Sequence, residues 1–244
     1  MKTFNEWDWQ GKEFNVKVLY SRAGVATQIL VEQKEDSSKY LIDVGDGVIR
    51  DLLLFNEKIF FEIKILFISH GHFDHCGALM SLLSFFRMLN RTQKLIIVVP
   101  KGVVEVEKIL SMFFEIHEDT IPYEIEVFYS TDNLQLNNCN VSAFPVKHRG
   151  SIVGGGSLPQ KPSVGYILEK EGERIAYTGD TGYFSQLEDV VKNTDFLLVE
   201  GTYADKETDY HLSLPQAIRI GKLAKQFKVV HRMVNEPILE NKIG

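Results

Sequence analysis

Four side chains of metal-binding type fall within one six-residue segment, His70-Gly71-His72-Phe73-Asp74-His75, one residue, Ser69, after the apolar run Ile63–Ile68. That run is broken only by Lys64 and has the length and β-branched content of a buried strand. Imidazoles and a carboxylate packed so densely repel protons and attract a borderline-soft divalent cation. A chain carrying this cluster needs a rigid strand behind it and further donors elsewhere to complete the coordination. Three more polar residues stand at equivalent addresses. His148 follows the predicted strand Val141–Val146, Asp180 follows Arg174–Thr178, and His231 follows Phe227–Val230. Rigid elements presenting ligands from their ends are the expected layout of such a site.

Seven donors suit two cations that share one carboxylate. The assignment places His70, His72 and His148 on the first ion, and Asp74, His75 and His231 on the second, with Asp180 between them. Two ions roughly 3.5–4 Å apart can hold a hydroxide and clamp an anionic substrate. Zinc is the default for a histidine-rich set with carboxylates, with manganese or iron as alternatives.

The remaining pattern predicts an α+β chain of many short strands. Early strands are read at Val16–Tyr20, Thr27–Gln33 and Lys39–Asp43, with a turn at Glu35–Ser38. Helical spacing covers Val48–Phe55, Gly77–Leu89 and Val103–Phe114, and strands cover Leu95–Val99 and Tyr123–Tyr129. Further on, Val164–Glu169 and Arg174–Thr178 form a hairpin through Glu171–Glu173. Phe184–Val191 reads as a short helix and Phe196–Val199 as a strand. Ser213 caps a helix expected to run to about Gln226, with Pro215 in its first turn. Gly150–Pro162 is the one loop-like segment, its composition suiting a surface loop beside a site as well as a linker, and no Pro/Gly/Ser stretch is long enough to mark a flexible domain boundary. One domain spanning 1–244 is expected.

Composition narrows the function classes. A net charge of −6 does not suit a wrapper for polyanions. Two cysteines, Cys76 and Cys139, cannot form a disulfide scaffold, and a reducing, cytoplasmic setting is the simpler expectation. The N-terminal Met1-Lys2-Thr3-Phe4-Asn5-Glu6-Trp7 is too polar for a signal peptide, and no apolar run is long enough to span a membrane.

The His70–His75 segment resembles the HxHxDH signature of the metallo-beta-lactamase superfamily, and His148, Asp180 and His231 match its remaining ligand motifs in order. The resemblance covers roughly residues 17–232 and implies a four-layer αββα sandwich with a two-metal site. Glu200-Gly201-Thr202, followed by Tyr210-His211-Leu212-Ser213, is similar to the ribonuclease Z-like branch, which includes tRNA 3′-processing endonucleases and small phosphodiesterases. By that resemblance Asp74, Glu200 and His211 are the catalytic residues. Asp74 lies beside the nucleophilic solvent, Glu200 orients His211, and His211 gives a proton or steadies charge on the phosphate. The reference pKa of histidine puts both protonation states of His211 within reach.

The expected activity is hydrolysis of a small or cyclic phosphodiester, or of a short nucleic-acid end, through a metal-bridging hydroxide. Lys147, Arg149 and Ser151 around His148 are the candidate substrate contacts. Two alternatives stand beside this reading: a tRNA 3′-processing endoribonuclease, and a lactone or thioester hydrolase. Against the first, the interval Gly165–Thr178 holds a plain hairpin where the branch's long tRNA processors carry a projecting arm. RNA is therefore the second partner after a small phosphodiester, no membrane partner is expected, and a homodimer is an expectation of the branch.

Overall fold

A computed structural model describes residues 6–130, 134–136, 138–151 and 157–233. The chain divides into two compact units, residues 1–131 and 132–244.

In the first unit, strands β1 (Trp9–Gln10), β2 (Phe14–Arg22), β3 (Ala26–Gln33) and β4 (Ser38–Ile42) form an antiparallel meander. Helices α1 (Val48–Phe55) and α2 (Ile59–Glu62) cross over to β5 (Ile63–Phe67), which pairs parallel with β4. Helices α3 (Phe73–Cys76) and α4 (Leu79–Met88) lead to β6 (Leu95–Val99), and α5 (Val104–His117) to β7 (Ile125–Tyr129), both strands again parallel. The sheet order among the described residues is β1 through β7 in sequence. The helices bury one apolar stripe against the sheet: Leu79, Leu82, Leu83 and Phe86 of α4 and Val106, Leu110 and Phe113 of α5 join Leu66, Ile68, Leu95 and Ile97 in one core. The expected Gly77–Leu89 helix is found as α4, Leu79–Met88, and the donor segment before it makes a short helix of its own, α3.

Arg91 ties this unit together from inside. Its side chain has no exposed surface, and its guanidinium donates to the carbonyls of Phe60, Ile63, Gln93 and Lys94 while lying 4.8 Å from the Phe86 ring centroid. Burial pulls its pKa down to about 10, which leaves it charged at neutral pH. Replacing it with methionine would leave those carbonyls short of donors. We expect Arg91→Met to lower the unfolding free energy by about 3 kcal/mol or more, read from urea unfolding of the two proteins. A loss below 1 kcal/mol would show that water takes over the four acceptors.

The second unit comprises β8 (Leu134–Leu136), β9 (Cys139–Pro145), β10 (Arg149–Ser151), β11 (Ser157–Gln160), β12 (Val164–Lys170), β13 (Glu173–Tyr177), α6 (Ser185–Val191), β14 (Phe196–Glu200), α7 (Leu214–Gly221) and β15 (Gln226–Val230). Its main sheet runs β15-β14-β13-β12-β9-β8. Strands β13, β14 and β15 are parallel, while β12, β9 and β8 alternate antiparallel. The turn from β12 to β13 uses Glu171 and Gly172, both at positive φ (47° and 80°), the backbone signature of a tight hairpin. Leu187, Val191, Ala217 and Ile220 of the two helices pack on Ile167, Leu197 and Val199.

Two expectations are corrected here. The Gly150–Pro162 segment is not simply a loop: its two ends pair as the antiparallel ribbon β10–β11, and residues 152–156 lie outside the described residues. Helix α7 ends at Gly221 rather than near Gln226, which instead opens β15. Its start agrees with the reading, since Ser213 and Gln216 form a capping box with proline in the first turn. No helix among the described residues is long and apolar enough to cross a membrane.

Candidate active site

In the first unit, β5 delivers its chain end into Ser69 and the donor segment. The imidazoles of His70 and His72 have ring centroids 4.8 Å apart, and those of His70 and His75 are 4.2 Å apart. Asp43, at the end of β4 and fully buried, organises this group. One carboxylate oxygen accepts from the Ser69 amide, and the other accepts from the Ser69 hydroxyl at 2.8 Å and from His75 Nδ1 at 2.7 Å. The Ser69 hydroxyl has given its only proton to Asp43, so it accepts from His70 Nδ1 at 3.0 Å. Both histidines therefore carry their proton on Nδ1 and present the Nε2 lone pair. Asp74 Oδ2 lies 3.7 Å from His75 Nε2, too far for a hydrogen bond between them. The same oxygen accepts the Gly24 amide at 2.7 Å.

The second unit repeats this logic with other partners. His148 Nδ1 donates to the Tyr210 carbonyl at 3.1 Å. His231, at the end of β15 with φ of 59°, bonds Thr202 Oγ1 through Nδ1 at 2.9 Å. That hydroxyl is already a donor to Glu200 Oε2 at 2.9 Å, so here too Nδ1 holds the proton. The Nε2 atoms of His148 and His231 lie 3.9 and 3.3 Å from Asp180 Oδ2, and Asp180 is buried after β13.

Glu200, at the end of β14, is fully buried and used at both oxygens. Oε1 accepts from the Thr181 amide and from His211 Nδ1, each at 2.8 Å, and Oε2 accepts from the Thr202 amide and hydroxyl. His211 is thus aimed by a carboxylate and offers Nε2 as the exchangeable site. Its ring lies 4.9 Å from that of His148 and stacks on that of His231 at 5.6 Å. Ligand atoms of His148, Asp180 and His211 lie within 4.8 Å of one another, as do those of Glu200, His211 and His231.

Each unit therefore gathers a cluster of metal-type donors, and their chemistry fits divalent cations. Of the expected ligands, His70, His75, His148 and His231 are each held by an acceptor at Nδ1 and leave Nε2 for a cation, the arrangement that outer partners impose on metal-bound imidazoles. An aspartate oxygen 3.3–3.9 Å from such nitrogens is spaced as a second ligand of one ion would be. Asp43 offers a clean test. Asparagine tolerates its positive φ of 60°, so Asp43→Asn removes charge without straining the backbone. We expect metal affinity to fall roughly 10–100-fold in a chelator competition. An unchanged affinity would mean that His75 does not depend on this carboxylate.

Of the expected substrate contacts, Lys147 is exposed, with Nζ 6.0 Å from the Phe184 ring centroid. Arg149 forms an ion pair with Asp209. The Ser151 side chain lies outside the described residues. Four specific contacts were not assigned from the sequence: the Asp43 carboxylate on His75, the Gly24 amide on Asp74, the Thr202 hydroxyl on His231, and the close packing at Gly182. Gly182 is required by close approach, since a Cβ there would come within 2.3 Å of the Asp209 carbonyl carbon and 2.7 Å of the Tyr210 nitrogen. The Tyr210 carbonyl that orients His148 depends on this fit. The run Thr178-Gly179-Asp180-Thr181-Gly182 carried the only advance signal for it.

A family model described as "Beta-lactamase superfamily domain" matches residues 40–232. A ribonuclease Z of Azobacteroides pseudotrichonymphae is 28% identical over 225 residues, covering 78% of this chain and 76% of that protein. Among solved structures, the metallo-beta-lactamase fold protein YhfI from Bacillus subtilis superposes with a TM-score of 0.73 at 18% identity, over 93% of this chain and 89% of the other. The short form of human tRNase Z gives 0.72 at 21% identity, over 90% and 93%. At these identities the likeness speaks for the fold, and it bears out the four-layer αββα sandwich expected above.

Proposed function

The chain belongs to the beta-lactamase superfamily, and from that premise we propose that it is a metal-dependent phosphodiesterase. In this reading His70, His72, Asp74, His75, His148, Asp180 and His231 hold two divalent ions, zinc by the balance of imidazole and carboxylate donors. Such ions, when bound, neutralise charge on phosphoryl oxygens and bring a water's pKa toward neutrality. The chain's own part is orientation and proton handling. Outer partners fix the histidine tautomers, Asp74 keeps a carboxylate next to His75, and His211 supplies a proton from Nε2 to the leaving oxygen. Glu200 stabilises the imidazolium before that transfer. Lys147 contributes positive charge toward an anionic substrate, whereas the charge of Arg149 is already met by Asp209.

The observation that carries this reading is the 2.8 Å bond from His211 to Glu200 within a cluster that also contains His148 and Asp180. A carboxylate-backed imidazole beside the metal donors is suited to protonating a leaving oxygen. Departure of an alkoxide from phosphorus does need a proton. Within phosphodiesters, the ribonuclease Z name of the relatives favours a tRNA 3′ end as a second substrate reading. A substrate panel separates the two. Purified metal-loaded protein should hydrolyse a bis-aryl phosphodiester and leave a lactone and a thioester untouched. Rapid cleavage of precursor tRNA at its 3′ end would promote the second reading over cyclic or small diesters. Turnover of the lactone alone would sink both.

A further inference from the structure

We propose that Phe73 is a stacking platform for a nucleobase, so that the diester bound here carries a base next to the scissile phosphate. The inference rests on the reading that a phosphodiester docks at these donors. A single exposed apolar side chain is ordinary on a protein surface. Phe73 differs in its place. Its neighbours in the chain on both sides, His72 and Asp74, are metal-type donors, and His75 and Cys76 in the same short helix are buried. Yet Phe73 itself is 70% exposed, the highest value among the large hydrophobic side chains described. The segment thus turns its donors inward and one aromatic ring outward.

A second apolar side chain sits on the neighbouring hairpin. The turn between β2 and β3 binds Asp74 through the Gly24 amide, and the next residue, Val25, is 42% exposed. Phe73 adjoins Asp74 in the chain, Val25 adjoins the Gly24 amide that bonds its carboxylate, and both present apolar surface to solvent. A phosphate drawn to the donors brings its ester group to that border. A flat π system gains most from an exposed ring, since base–aromatic stacking contributes about 1–3 kcal/mol and tolerates any base. A simple alkyl group has no comparable flat face to offer.

The test compares two phosphates that differ only in the base. Binding of adenosine 5′-monophosphate and of ribose 5-phosphate to the full-length, metal-loaded protein would be measured by calorimetry. The nucleotide should bind roughly 10–100-fold more tightly. In Phe73→Ala that gap should vanish, with ribose 5-phosphate affinity and metal content unchanged, and in Phe73→Trp it should persist. Equal binding of both compounds to the wild-type protein, or a gap that survives Phe73→Ala, would overturn the stacking role and leave the phosphodiester reading standing. Failure of both compounds to bind would overturn the two together.

Discussion

Asp180→Ala is expected to strip the protein of metal and of activity at once. Asp180 is buried, and a single oxygen of its carboxylate lies 3.3 Å from His231 Nε2 and 3.9 Å from His148 Nε2. Without that negative charge, imidazole nitrogens crowd one another with no anion to favour a cation between them. We expect fewer than one ion per chain after dialysis. Diester turnover should fall by about three orders of magnitude or more, because each lost ion forfeits several kcal/mol of charge stabilisation. Metal analysis of the dialysed protein beside an activity assay reads both quantities. A variant that kept two ions would remove Asp180 from the ligand set.

His211→Ala should separate what Asp180→Ala joins. His211 belongs to the proton chemistry in our reading, so metal content should hold while turnover drops by roughly 100–10,000-fold, the usual worth of a positioned acid. The loss should be smaller on a diester whose leaving group is already acidic, such as a nitrophenolate, which departs without a proton. Its limb in the pH–rate profile should disappear as well. Equal losses on good and poor leaving groups would make His211 an electrostatic contact instead. Loss of metal would make it a ligand, a role open to it by its proximity to His148 and Asp180.

The donor positions were legible because two independent signals coincide at each. Chemical type picks out His70, His148, Asp180 and His231, and an apolar strand pattern places each just past a strand end. Glu200 and His211 are chemically ordinary and needed a resemblance to be noticed. Partners that act through space were not legible. Arg149 reads as a free basic contact beside His148, and nothing in its neighbourhood announces Asp209, 60 positions later. The bond from the Gly24 amide to Asp74 likewise spans 50 positions, and no local pattern announces it. The end of α7 was misplaced because apolar spacing continues past it. Gly221 at its last residue permits the turn back: a Cβ there would lie 2.3 Å from the Phe227 ring, so only glycine lets β15 fold so closely against the helix. The ribbon β10–β11 was missed because glycine composition in its middle outweighs the weak strand tendency of its short arms.

The parallel trio β13, β14 and β15 releases Asp180, Glu200 and His231 from the same ends of its strands. Length in these strands is consequently frozen, since one inserted residue would swing every later side chain to the opposite face. Freedom lies at the other end of β13. A fluorophore-bearing graft or affinity handle spliced between Glu171 and Gly172 would stand a whole five-residue strand, about 16 Å, from where Asp180 begins to matter. That hairpin is the natural port for engineering this protein without disturbing its chemistry.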